Sequence, residues 1–382
     1  RAKAMGGAFI GVSNDVTAGT WNPAGLWVHE GPKFGAGYGT FLPRGEAEGN
    51  LSVADQSGSW NKFHTLNFLA PVRIRGQQFV GSVSYSRIFE DYQTLSANLN
   101  GTYLRPGGGT AAFSETLTSE SHIEPRSLTF ALGTRVSERF SIGASADIYL
   151  GKAVSETRQN ITWQDYPDFD SPQTAVRSQD VLVLDTTAFS GFGLTGGVMY
   201  NGDQLDVGLL VRAPFSFEST TDQKFFTLTS YAGLPQPDQS DTTFIDDQLL
   251  KYDLPIMFAL GLSYNLTENL MWAFDAEYRG FEGRDAERRT EINISEDTET
   301  FETLELNWQN VFTFRSGLEY MWETGSSTFP LVPLRAGFAY VPIPTPDAAI
   351  NPNPTSDDDL FNFSSTSRSE ERRVGKECIV KC

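Results

Sequence analysis

The chain has 382 residues, with 48 Asp and Glu against 29 Lys and Arg, and its formal net charge of −19 argues against a nucleic-acid partner, whose phosphates need clustered cations. Its 35 Gly, 28 Phe, 13 Tyr and 7 Trp favour strands and turns over helices. No stretch approaches the ~18 apolar residues of a membrane helix, a test to which proteins that cross a membrane on strands are blind.

The first element is not a strand. Residues 1–31 open on the glycine-rich "AMGGAFIGVSND", which has no clean period, followed by "TWNPAGLW" at 20–27. Pro23 fixes φ and lacks a donor, Asn22-Pro23 favours a turn, and the glycines allow tight backbone in a confined space. No charged-then-apolar leader precedes this segment, and the start reads as mature or clipped.

Strands follow at 33–44, 61–72, 79–92, 122–135, 140–153, 187–200, 204–217, 250–265, 270–281, 303–322 and 330–342, with a further one beginning near Leu360. In "FSIGASADIYL" (140–150), Phe140, Ile142, Ala144, Ala146, Ile148 and Leu150 share one face, and Ser141, Gly143, Ser145, Asp147 and Tyr149 the other. The same period recurs at 256–264, 270–279, 307–320 and 334–340. Arg135, Arg212, Arg279, Arg315 and Arg335 fall on the polar parity of their strands, as do Asp147, Asp206, Asp275, Glu277 and Glu319. An arginine facing lipid at the bilayer midplane costs about 2–4 kcal/mol, so this segregation is what a membrane would enforce. Arg87 is the exception, near a strand end.

Short turns at 73–78, 136–139, 201–204, 266–269 and 323–328 alternate with long polar segments near 45–60, 93–121, 154–186, 217–249, 282–302 and 343–358, which read as outer loops. Tyr264, Tyr278, Tyr320, Trp322 and Tyr340 stand at strand ends, where an interfacial girdle belongs. The fold expected is all-β: a transmembrane antiparallel β-barrel. An even count that closes without an open edge suggests about fourteen strands in the full protein, of which about twelve lie in this chain.

The chain ends "RSEERRVGKECIVKC", which holds both cysteines. Residues 368–378 resemble the translated read-through of a common sequencing adapter, so 368–382 is expected to be non-native. Without it the chain has no cysteine, as an oxidising envelope compartment permits.

"AMGGAFIGVSNDVTAGTWNPAGLW" (4–27), with "LPIMFALGLSY" (254–264), "NWQNVFTFRSGLEY" (307–320) and "PLRAGFAYVPIPTPDAAINPNP" (333–354), resembles the long-chain fatty acid transporter family of outer-membrane proteins over essentially the whole chain up to the tail. The resemblance implies a fourteen-stranded barrel (32–367 here) with a compact N-terminal hatch (1–31) inside the lumen. Trp21, Asn22, Pro23, Ala24, Leu26 and Trp27 would then pack against the lumenal wall; the alternative is a first strand with a frayed terminus. It also implies passive uptake of long-chain fatty acids or other hydrophobic small molecules across the outer membrane of a Gram-negative-type bacterium. Outer loops would capture the ligand, and exit would be sideways near a kink of the third strand, where Gly81 is a candidate. No catalytic group, cofactor or energy source is implied.

"KFFTLTSYAGL" (224–234) is an apolar patch within a long polar segment, and Phe225, Phe226, Leu228, Tyr231 and Leu234 are the candidate ligand-capture residues; the alternative is that they pack a loop onto the rim. Expected partners are a fatty acid or other apolar small molecule, outer-membrane lipid and lipopolysaccharide, with no nucleic acid, and the chain is expected to be a monomer. A non-transporting barrel acting as scaffold or assembly partner is the competing reading, kept open by the charge on the polar faces. "GFGLTGG" (191–197) contains Gly-x-Gly-x-x-Gly, yet a strand, a turn and a strand follow where a dinucleotide site needs a helix. His29, His64 and His122 lack ligand spacing, "SDDD" (356–359) reads as a solvated acidic turn, and no nucleophile signature occurs.

Overall fold

The computed structural model describes residues 1–41, 60–88, 91–104, 110–168, 171–232, 237–293, 298–326 and 330–344. Three short helical turns come first: Ala2–Met5, α1 (Ala18–Trp21) and Pro23–Val28. Sixteen strands follow: β1 Lys33–Phe41, β2 Trp60–Ile74, β3 Gln77–Arg87, β4 Asp91–Leu104, β5 Thr110–Arg135, β6 Phe140–Asp168, β7 Ser171–Asn201, β8 Leu205–Arg212, β9 Phe215–Ala232, β10 Gln239–Leu254, β11 Met257–Asn265, β12 Leu270–Arg279, β13 Ala286–Asn293, β14 Thr298–Leu304, β15 Val311–Glu323 and β16 Leu331–Tyr340.

All sixteen belong to one sheet, whose continuous path is β1-β2-β3-β5-β6-β7-β8-β11-β12-β15-β16. These path strands are the eleven that the sequence pattern marks, with shifted ends. The strand expected near Leu360 lies outside the described residues, as do the 368–382 tail and the 356–359 turn. Every pairing on the path is antiparallel.

The molecule is inside out relative to a water-soluble sheet protein. On β6 and β7 the apolar parity is exposed, with Phe192 at 54% and Leu194 at 51%, whereas the polar parity is buried, with Ser141 at 0% and Asp147 at 7%. Phe258, Phe312, Phe314, Leu318 and Phe338 repeat the exposed pattern on β11, β15 and β16. Lipid covers such a face, and along the path from β1 to β16 the ladders of backbone hydrogen bonds pair the polar groups that hydrocarbon would otherwise leave unsatisfied.

Where described, the long polar segments at 93–121, 154–186, 217–249 and 282–302 are largely strands rather than loops, and 45–59 and 345–358 lie outside the described residues. β5, β6 and β7 run 26, 29 and 31 residues, far beyond the ~9–11 that span a bilayer. β4 pairs with the far part of β5, β9 with β7, β10 with β9, and the β13–β14 hairpin continues from β10. Once two strands are paired inside the membrane, extending the ladder fixes few further degrees of freedom, and the Thr-, Ser- and Val-rich segments suit it. The short turns all fall at the opposite end, which is the periplasmic one. Gly81 pairs with Ala70 and Leu132 in unbroken register, so β3 carries no bulge there.

Candidate functional site: the lumen and the segment within it

The space enclosed by the strands is occupied at one level by residues 2–29. Asn22 is fully buried and joins three pieces of backbone. Its amide nitrogen donates to Ile10 O (3.2 Å) and Val198 O (3.5 Å), and its Oδ1 accepts from Ala24 N (3.1 Å). This last contact caps the turn that Pro23 begins, as an N-cap Asn followed by Pro should. Leu26 is buried with Ala18, Leu69, Val80 and Ala131, which ties the segment to β2, β3 and β5. Phe9, Met5, Ala8 and Val12 form a second cluster with Ala273 of β12; Trp21 packs on it, its ring edge-on to Phe9 at 5.9 Å. Trp27 donates its indole N–H to Asn201 Oδ1 (3.3 Å) beneath the Arg135 guanidinium.

The wall makes room with glycine. Gly133, Gly143 and Gly197 lie on one rung of β5, β6 and β7. A Cβ on Gly143 would stand 2.3 Å from Pro23 C, and one on Gly197 2.1 Å from Asn22 Oδ1. Gly208 and Gly261 are paired beneath Ile10 and Gly11, and Gly317 and Gly337 beneath Met5 and Gly6. Three of the four glycines of "GFGLTGG" are therefore seats: Gly197 for Asn22, and Gly191 and Gly193 for aromatic rings.

Two ionic anchors hold the segment. Asp275 of β12 is fully buried, and its Oδ2 accepts from Phe9 N (2.7 Å) and Ile10 N (3.0 Å). Glu319 receives Arg1, at 3.0 Å to Oε2 and 2.7 Å to Oε1, and also Arg335.

Above this level the inner wall changes character. Tyr149 and Phe215 stack at 5.1 Å over Gly193, and Phe189 and Phe217 at 5.7 Å beside Gly191. Tyr252 stacks on Trp308 at 6.2 Å, and Phe281 meets the same indole edge-on at 5.3 Å. At the foot of this aromatic wall, Arg212 and Arg279 flank Met257 on one rung, both within electrostatic reach of Tyr149. Glu277 accepts from Arg279 (2.6 Å) and Arg315 (2.9 Å). Arg212 donates to Thr195 Oγ1 at 3.3 Å and has no carboxylate partner among the described residues. The sequence reading missed this site. Its signal was present in the inward parity of Tyr149, Phe189, Phe215 and Phe217, aromatic where the rest of that face is small.

The ligand-capture candidates are not brought together. They lie on β9, where successive side chains point to opposite faces. Phe226 and Leu228 share the outward face with Leu182 and Asp180 of β7, and line a cavity of about 560 Å³ that also reaches Arg158 and Asn160. Phe225 and Tyr231 take the inward parity, and Arg177 sits over the Tyr231 ring at 6.0 Å. Leu234 lies outside the described residues. No group of His, Cys, Asp and Glu among the described residues could hold a metal ion.

No curated protein matches the chain. Among solved structures it is similar to the toluene transporter TbuX of Ralstonia pickettii, at 15% identity over 89% of this chain and 85% of that one with a TM-score of 0.46. A FadL homologue of Pseudomonas aeruginosa stands at 14% identity, 92% and 81% coverage and a TM-score of 0.47. The deltaS2S3 mutant of the monoaromatic hydrocarbon channel TodX stands at 12%, 88% and 80%, with a TM-score of 0.42. Residues 1–368 match the model of the outer membrane protein transport family (OMPP1/FadL/TodX), and the chain belongs to that family of Gram-negative outer-membrane channels for hydrophobic compounds, which are not enzymes.

Proposed function

We propose that the chain is a passive channel for hydrophobic carboxylates, long-chain fatty acids foremost. The observation that carries this reading is Arg212, an inward arginine with no carboxylate partner among the described residues, at the foot of a wall of stacked aromatic rings. A neutral hydrocarbon has no use for that guanidinium, whereas a fatty acid presents an alkyl chain to the rings and a carboxylate to Arg212 and Arg279. Burial of the chain drives binding at roughly 0.8 kcal/mol per CH₂. Residues 1–31 act as a hatch within the 32–367 barrel, and Phe226 and Leu228 take up ligand at the outer end. The protein works as a monomer.

The test is binding of a fatty acid and of its alkane and alcohol analogues to the purified protein, with Arg212→Gln beside it. A charge-assisted hydrogen bond contributes about 1.5–3 kcal/mol, so the substitution lowers fatty-acid affinity by one to two orders of magnitude and leaves the alkane unaffected. Equal loss for both ligands, or none for either, refutes the reading. The ion pairs of Glu277 with Arg279 and Arg315 favour a second reading, a non-transporting scaffold with a lumen filled by charge. Mass spectrometry of what delipidation releases separates them, since a scaffold gives up no fatty acid or hydrocarbon and takes none up in vesicles.

A further inference from the structure

A stripe of charge on β12 and β15 runs between the hatch and the ligand site. Asp275 and Glu277 lie two residues apart on the lumenal face of β12, at 0% and 6% exposure. Arg315 of β15 is directly opposite Asp275, and Arg279 follows Glu277 on the same face of β12. Glu277 holds both arginines, Arg279 at Oε1 (2.6 Å) and Arg315 at Oε2 (2.9 Å). Asp275 has a hydrogen bond to neither. Its Oδ2 accepts from the backbone N–H groups of Phe9 and Ile10, and its buried Oδ1 has no hydrogen-bond partner among the described residues. Arg315 also lies against the hatch, since a Cβ on Gly7 would stand 3.0 Å from its Cδ. At the other end of the stripe, Arg279 and Arg212 flank Met257.

The partners available in each state set the sign of the coupling between the two ends. With the hatch docked, two backbone N–H groups serve Asp275, and both arginines are left to Glu277. When the hatch departs, Asp275 loses those donors, and a carboxylate stripped of its partners inside a protein is costly. Arg315 faces it across the ladder, where opposite charges attract, and is placed to turn to it. Glu277 then depends on Arg279 alone. A ligand carboxylate held by Arg212 and Arg279 needs that same arginine, so with the hatch away it keeps Arg212 and loses Arg279. Ligand binding and hatch docking therefore favour each other, and by linkage each strengthens the other by the same factor. We propose that Glu277 is a positioning residue that apportions Arg279 and Arg315 between ligand and hatch: a bound hydrophobic carboxylate holds the hatch docked, and an opened hatch loosens the carboxylate as the way beneath it clears. This coupling rests on Arg212 and Arg279 being the carboxylate site.

The experiment measures hydrogen exchange of residues 6–13 in the full-length chain in nanodiscs, free and saturated with a fatty acid or its alcohol analogue, together with the affinity for each ligand. In the wild type the fatty acid slows exchange by about five- to tenfold, a coupling of ordinary size, and the alcohol, with the same chain and no charge, slows it far less. In Glu277→Gln, Arg279 is released to the ligand: the fatty acid binds more tightly than to the wild type, and its effect on exchange disappears. Glu277→Asp keeps the charge and keeps the effect. Should Glu277→Gln fail to fold, Arg315→Gln replaces it, because Asp275 then gains no arginine on undocking and the effect is again lost. A fatty acid that binds the wild type but leaves exchange unchanged, or an alcohol that slows it equally, overturns the coupling and leaves the carboxylate site standing. Weaker binding to Glu277→Gln, or an effect on exchange that survives the substitution, overturns the role of Glu277. A wild type that does not prefer the fatty acid to the alcohol removes the carboxylate site itself, and the coupling with it.

Discussion

Replacing Asp275 with alanine should free the N-terminal segment without disturbing the barrel. The carboxylate is fully buried and accepts two backbone N–H groups, Phe9 at 2.7 Å and Ile10 at 3.0 Å. Bonds of this charge-assisted kind contribute about 1.5–3 kcal/mol each, or about 3–6 kcal/mol together. Against this, alanine relieves the desolvation of a buried carboxylate, itself several kcal/mol. It also orphans two buried donors, at roughly 1–3 kcal/mol each when no water reaches them. The balance is a loss of about 3 kcal/mol in docking, which raises the undocked population about a hundredfold. Hydrogen exchange of the protein in nanodiscs reads this directly. Peptides covering residues 6–13 should exchange about a hundredfold faster, while those from the membrane part of β6 and β7 keep their protection. If the N-terminal peptides exchange at the wild-type rate, Asp275 does not hold the segment. If every peptide accelerates alike, the segment and the barrel open as one unit and the reasoning fails in a different place.

Asn22→Ala removes the bonds to Ile10 O and Ala24 N, and because Asp275 also holds Ile10, the two substitutions should couple by about 0.5–3 kcal/mol in a double-mutant cycle of docking free energy; strict additivity would separate the two anchors. Gly143→Ala sets a Cβ 2.3 Å from the Pro23 backbone, and the overpacking should cost docking about 1–3 kcal/mol, read as protease cleavage within residues 1–31 at levels the wild type resists. Leu209, 52% exposed and mid-strand on β8, should cost about 2–4 kcal/mol of folding stability in bilayers when changed to Arg, and far less in Phe140→Arg beside the periplasmic turn; the two denaturation midpoints must differ in that order. His29 is buried, with Nε2 3.1 Å from Asp15 O and Nδ1 3.1 Å from the Lys33 ammonium, which fixes the neutral ring with its proton on Nε2. Burial holds its pKa below the usual 6.5. Its contribution to docking is therefore complete above pH 6.5 and declines below that value, as the undocked state takes up a proton that the docked state resists. Exchange of residues 6–13, corrected for the intrinsic pH dependence of amide exchange, should accelerate more between pH 6.5 and 5 in the wild type than in His29→Gln.

What the sequence disclosed follows from where a membrane imposes a cost. Between Phe140 and Leu150 every second residue must satisfy lipid, so parity was legible there, and Arg212, Arg279, Arg315 and Arg335 fell on the correct face. Beyond the membrane both faces of β6, β7 and β9 are wet, the alternation loses its chemical contrast, and 154–186 and 217–249 read as loops. That error propagated into the capture residues. Phe225, Phe226, Leu228 and Tyr231 were grouped by apolar density, as if a loop could turn them all one way, whereas β9 sends Phe226 and Leu228 outward and the other two inward. Asn22 and Pro23 were found through their motif, but the motif is half of an interface whose other half is absence. Gly133, Gly143 and Gly197 become meaningful only when the register sets them on one rung. Spacing within one strand could have hinted at it, because the inward parity of β7 reads Gly191, Gly193, Thr195, Gly197, small where an unplugged lumen would admit bulk. A wall that gives up side-chain volume at one level and stacks aromatic rings at the next is shaped by two different occupants, its own chain below and a guest above. The boundary between them falls at Arg212, which has a neighbour in Thr195 and no counter-charge among the described residues.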